Sequence, residues 1–145
     1  MNFNNELYKE IILEHYKSPT HKKDMEDADL KEEGVNRSCG DEIMLYVKLD
    51  GDIIKEVSYN GIGCAISQAS ASMLTEAIEG KKIDEVKNLI TKFKGMLLEN
   101  KEPDFPDESS DLESLQGVKD YPVRIKCALL SWETLEQMLE EIQNK

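Results

Sequence analysis

Residues 43–59 read Ile43-Met44-Leu45-Tyr46-Val47-Lys48-Leu49-Asp50-Gly51-Asp52-Ile53-Ile54-Lys55-Glu56-Val57-Ser58-Tyr59, and their pattern decides the fold class. Ile43, Leu45, Val47 and Leu49 alternate with Met44, Tyr46 and Lys48, the period of two expected of a strand with one buried face. Asp50-Gly51-Asp52 supplies a turn that tolerates positive φ. A second strand over Ile53–Tyr59 folds back on the first, which predicts an antiparallel hairpin.

Upstream, residues 20–38 are polar and leave room for one short edge strand near Leu30–Asn36. Before them, residues 4–17 read as a helix, with Asn4 or Asn5 as its cap and Leu7, Ile11 and Ile12 on one face. The Ser18-Pro19 step ends it. His15 follows Ile11 by four residues, so it reads as a histidine packed near the helix C-terminus in preference to a metal ligand. His21, in a polar loop, reads as solvated.

Downstream, Gly61-Ile62-Gly63 leads into a helix from about Ala65 to Glu79. Its buried stripe is Ile66, Ala69, Met73, Leu74, Ala77 and Ile78, and Gly80 stops it. A further helix spans Ile83–Leu98, with Ile83, Val86, Ile90, Phe93 and Leu97 on one side. Residues 99–113 hold seven acids, two prolines and one lysine, a composition that reads as a solvated connecting loop. A short turn at Leu112–Leu115 precedes Gly117. The last helix starts at Pro122, a favoured first-turn position, and carries Ile125, Ala128, Trp132, Leu135, Leu139 and Ile142 at steps of three and four. Helix, hairpin, then helices predicts an α+β domain, a small antiparallel sheet covered by helices, with residues 1–145 forming one unit.

Composition narrows the function classes. Apolar residues make up 39% of the 145 and charged ones 33%, as in a soluble globular protein. The net charge of −12 repels a polyanion, and the pairs Lys22–Lys23 and Lys81–Lys82 are short and lie beside acids, so no nucleic-acid role is expected. The acidic surface reads as solubilising, or alternatively as a face for a basic partner. No apolar run approaches the roughly 18 residues that cross a bilayer, so no membrane role is expected. The opening MNFNNELYKE does not read as a signal peptide, and a cytoplasmic protein is expected.

The chemistry rests on three cysteines, an odd number at wide spacing that does not suggest a disulfide framework. Cys39-Gly40-Asp41 precedes the first clear strand, and Gly40 allows a turn that aims thiol and carboxylate at one point. Cys64 stands at the start of a helix, where unpaired N–H groups and the dipole favour a thiolate. Cys127 lies in the first turns of the last helix. Three thiolates and an oxygen suit zinc, and sulfur-rich ligation suits iron–sulfur chemistry equally. Gaps of 24 and 62 residues are no local metal signature, and isolated thiols fit the same positions.

Three stretches give more context: Asn36-Arg37-Ser38-Cys39-Gly40-Asp41, Gly61-Ile62-Gly63-Cys64-Ala65-Ile66-Ser67 and Tyr121-Pro122-Val123-Arg124-Ile125-Lys126-Cys127-Ala128. In this order they resemble the IscU-like family of iron–sulfur cluster assembly proteins, and its SufU branch more closely. The resemblance implies an IscU/NifU N-terminal-like fold and one metal held by Cys39, Asp41, Cys64 and Cys127. Lys126 stands where the scaffold branch has a histidine, and residues 80–121 look like the SufU insertion. Arg37 departs from the family's usual proline.

Resemblance to SufU implies a zinc-dependent sulfur acceptor that takes persulfide sulfur from a SufS-like cysteine desulfurase and passes it to downstream Suf-type assembly proteins. Cys39, on a glycine-flanked loop that could swing out, is the expected acceptor, with Cys64 and Cys127 retained as ligands. Arg124, three residues before Cys127, would offset the excess negative charge or hold a released thiolate, or else is simply solvated. The alternatives are a scaffold carrying a labile [2Fe-2S] cluster or iron on the same ligands, and a structural zinc site in an interaction module.

Overall fold

The computed structural model describes residues 6–143. Helix α1 (Glu6–Lys17) opens it, and the caps expected at Asn4 or Asn5 lie outside the described residues. Its inward face runs through Ile12 and His15, whereas Leu7 is 60% exposed, so the expected face is turned by part of a turn. The sheet follows as β1 (Leu30–Asn36), β2 (Asp41–Asp50) and β3 (Ile53–Ile62), in spatial order β1-β2-β3 and antiparallel throughout. Helices α2 (Ala65–Ile78), α3 (Ile83–Leu98) and α4 (Pro122–Gln143) complete the expected α+β order.

Alternation on β2 holds for its inner face, while Tyr46 on the outer face is buried as well and donates to Asp24 at 2.9 Å. Ile43, Leu45 and Val47 are fully buried, and Ile54, Val57 and Tyr59 of β3 join them under the helices. The register shifts between Lys48 and Leu49, where β2 meets the turn, and Leu49 is only partly buried as a result.

Helix α2 is buried nearly all round, beyond the single stripe expected. Small side chains make this possible. Ser70 donates to the Ala128 carbonyl of α4 at 2.6 Å and accepts from Trp132 Nε1 at 3.1 Å. On the other side Ser72 lies 2.8 Å from His15 Nδ1. Below this layer Phe93 of α3 stacks on Trp132, with ring centroids 4.2 Å apart and planes 13° apart. Such a stack contributes about 0.5–1.5 kcal/mol beyond burial alone.

Residues 99–113 depart from the expected loop. From Asp107 to Asp120 the chain is a 3-10 helix with a kink at Ser109. Leu112, Leu115 and Val118 recur every three residues, the 3-10 period, and all three are buried. Three of the acids are paired with other elements, not merely solvated. Asp111 meets His15 Nε2 at 2.9 Å, Glu108 meets Lys81 at 2.7 Å and Asp104 meets Lys92 at 3.4 Å. His15 is therefore a packed residue, as expected. His21 is less solvated than expected, since Nε2 contacts Glu79 at 3.0 Å and its side chain is 20% exposed. No described helix is long and apolar enough to cross a membrane.

Candidate metal centre

The β1–β2 turn and the N-terminal ends of α2 and α4 meet at one end of the molecule. Asn36 pairs with Asp41 across β1 and β2, so Arg37–Gly40 form a tight turn that projects Cys39. Gly40 takes φ +67°, which other residues adopt only with strain. Asp41 shares the strand parity of Ile43, Leu45 and Val47, and that parity carries a carboxylate onto the core face, where it is fully buried. From α4, Cys127 points to the same place. Its Sγ lies 3.0 Å from Cys39 Sγ, with the Asn36 amide donating to it at 3.7 Å. Donor atoms of Cys39, Asp41 and Cys127 all lie within 4.8 Å of one another.

Cys64 contributes differently. It caps α2 with its backbone, accepting from Gln68 N–H at 3.1 Å, and its side chain makes no capping bond. Its own N–H donates to Asp41 Oδ1 at 2.9 Å. The thiol neighbours Cys127 and Arg124 but stands outside the tight three-residue group. It also lines an open groove of about 390 Å³ with Lys9, Leu13 and Arg124.

Electrostatics set what this arrangement can do. Burial pushes the Cys127 thiol far above its usual range, and the neighbouring Cys39, Asp41 and Cys64 side chains raise it further. A divalent cation reverses such a preference, because coordination compensates the thiolate charge. Asp41 fits that role by an independent sign: Oδ2 is buried and has no hydrogen-bond partner among the described residues. A buried carboxylate oxygen without a partner is costly unless something positive meets it. Three thiols and one carboxylate oxygen match the ligand types of a four-coordinate zinc site. Arg124, on the exposed side of α4, has its pKa raised by a hydrogen bond to Cys127 and then by the nearby Cys64 thiol.

The sequence motifs point to each of these residues singly. Ser67 closes the second motif but carries no expected role, and its hydroxyl lies 3.0 Å from Asp41 Oδ1. The available signal is its place three residues after the Cys64 cap, a position whose side chain turns back toward the helix start.

A family model, the NifU-like N-terminal domain, matches residues 7–128. The chain is 45% identical over 131 residues to the zinc-dependent sulfurtransferase SufU of Bacillus subtilis (strain 168), covering 90% of this chain and 88% of that one. It is 37% identical over 137 residues to the iron–sulfur cluster assembly scaffold protein IscU of Thermotoga maritima, covering 94% of each. The solved structure of FiSufU from Fervidobacterium islandicum AW-1 matches with a TM-score of 0.83 at 39% identity, over 94% of this chain and 98% of that one.

Proposed function

This chain belongs to the NifU-like N-terminal domain family, and from that premise we propose that it serves iron–sulfur cluster assembly as a zinc-dependent sulfur acceptor. The observation that carries the reading is the buried Asp41 carboxylate, grouped with the Cys39 and Cys127 thiols and with one oxygen, Oδ2, left without a hydrogen-bond partner. The 45% identity to a zinc-dependent sulfurtransferase supports it.

Cys39, Asp41, Cys64 and Cys127 are the proposed ligands. Bound zinc keeps its cysteine ligands as thiolates at neutral pH. The acceptor is Cys39, because it sits partly exposed in the Gly40 turn, whereas Cys64, also partly exposed, is fixed at the start of α2 and Cys127 is fully buried. In the transfer, Cys39 thiolate attacks the outer sulfur of a persulfide on a cysteine desulfurase. The donor's S–S bond breaks, a new S–S bond forms on Cys39, and the donor cysteine leaves as a thiolate. Arg124, hydrogen-bonded to Cys127 and close to the other two thiols, supplies a fixed positive charge for the anionic sulfur. A SufS-like desulfurase is the proposed donor, with downstream Suf-type assembly proteins receiving the sulfur in the cytoplasm.

A scaffold reading has its own support in the 37% identity to an IscU scaffold protein. In that case the same ligands carry a [2Fe-2S] cluster as cargo. Lys126, in place of the scaffold branch's histidine, weighs against it. Metal and acid-labile sulfide analysis of the purified protein, read beside its visible spectrum, separates the two. About one zinc per chain with no colour and no sulfide supports the acceptor. Iron with sulfide and a brown colour supports the scaffold, and no metal on a folded chain removes both.

A further inference from the structure

We propose that Ser67 is a positioning residue for the metal centre, holding the Asp41 carboxylate so that Oδ2 alone faces the thiols. The proposal rests on the reading of Asp41 as a ligand.

Asp41 is fully buried, so its two oxygens cannot exchange roles by turning through water. Both of its donors converge on one oxygen, Oδ1. The Cys64 N–H reaches it at 2.9 Å and the Ser67 hydroxyl at 3.0 Å. Ser67 Oγ also lies 3.1 Å from the Cys64 carbonyl, but a hydroxyl has one proton to give. A carboxylate is the stronger acceptor, so that proton goes to Asp41. Backbone closes a further side. A Cβ on Gly63 would stand 2.6 Å from Asp41 Oδ1 and 2.5 Å from Ser67 Oγ. Rotating the carboxylate therefore sacrifices two hydrogen bonds, and Oδ2 stays partnerless.

Oriented ligands of this kind depend on the groups behind them, and loss of one such partner typically costs about 10–100-fold in metal affinity. Ser67 is as buried as the carboxylate it holds, and its one hydroxyl proton is spent on Asp41 Oδ1, which gives it an indirect role at the metal.

The test is a double-mutant cycle on zinc affinity, measured by competition with a chromophoric chelator, for wild type, Ser67→Ala, Asp41→Ala and the double variant. Far-UV circular dichroism establishes that each chain is folded. Ser67→Ala is expected to lose about 10–100-fold in affinity in the wild-type background. In the Asp41→Ala background the same change is expected to cost nothing further. Ser67→Thr, which keeps the hydroxyl, is expected to bind zinc as wild type does, and it carries the test if the alanine variant does not fold. Unchanged affinity in Ser67→Ala overturns the proposal. So does an equal loss in both backgrounds, which marks a general packing effect. Zinc affinity unaltered by Asp41→Ala instead removes the carboxylate from the ligand set, and the proposal falls with it.

Discussion

Cys39 and Cys127, 88 residues apart in the chain, place their sulfur atoms 3.0 Å from each other. Only a small movement separates that contact from a covalent bond. Mild oxidation of the metal-free protein is predicted to join Cys39 to Cys127 first, leaving Cys64 free, and bound zinc is predicted to suppress the reaction. Peptide mapping without reduction reads the pairing. A first disulfide containing Cys64 contradicts the geometry.

Arg124 is exposed, so its replacement leaves the core intact. Its guanidinium bonds to Cys127, and charge-assisted hydrogen bonds of this type contribute about 1.5–3 kcal/mol. Arg124→Ala is predicted to keep its zinc and to accept sulfur about 10- to 100-fold more slowly. Zinc content and persulfide formation, measured on one preparation, check both halves. Unchanged transfer leaves Arg124 as a solvated helix residue.

His15 ties three elements together, reaching Ser72 of α2 at 2.8 Å and Asp111 of the 3-10 segment at 2.9 Å. His15→Ala leaves a gap and removes the bonds to Ser72 and Asp111, at a cost of about 2–3 kcal/mol. Urea unfolding of zinc-loaded protein measures the loss. A change near 0.5 kcal/mol or less, the size typical of surface positions, would mean the clamp carries no stability.

Tyr59 sets an alkaline limit. Burial pushes its hydroxyl up to about 12, a hydrogen bond to Ser72 pulls the other way, and the Glu76 carboxylate adds to the rise. In the unfolded chain the group ionises near pH 10. Its contribution is therefore complete below pH 10 and is lost as pH climbs toward 12, because the unfolded state gives up its proton first. The difference amounts to about 2–3 kcal/mol. Comparing unfolding free energies of wild type and Tyr59→Phe across that window should give a flatter profile for the variant. Parallel profiles would refute the assignment.

What the sequence made legible follows the strength of each periodic signal. Ile43, Leu45 and Val47 alternate cleanly, and β2 lies where that alternation puts it. Helix α3 spans the expected Ile83–Leu98 because its apolar stripe is unbroken. The 3-10 segment was hidden by its acids. Leu112, Leu115 and Val118 carry the period, but charged residues around them give the composition of a loop. The partners that neutralise those acids, His15, Lys81 and Lys92, are distant in sequence.

At the candidate metal centre, local motifs mark Cys39, Asp41, Cys64 and Cys127 but not their mutual distances. Those depend on how α4 packs against β1, which no spacing encodes. Strand parity does place Asp41 on the inner face with Ile43, so a buried carboxylate was readable in principle. Ser67 was not, since a serine near a helix start usually serves the helix itself.

The most direct test of the sulfur-acceptor reading is to incubate the zinc-loaded chain with a cysteine desulfurase and cysteine, then locate the added sulfur by mass spectrometry of alkylated peptides. A persulfide on Cys39, absent from Cys39→Ser, is the predicted result. Full sulfur acceptance by Cys39→Ser, with acceptance lost instead in Cys64→Ser, would contradict it.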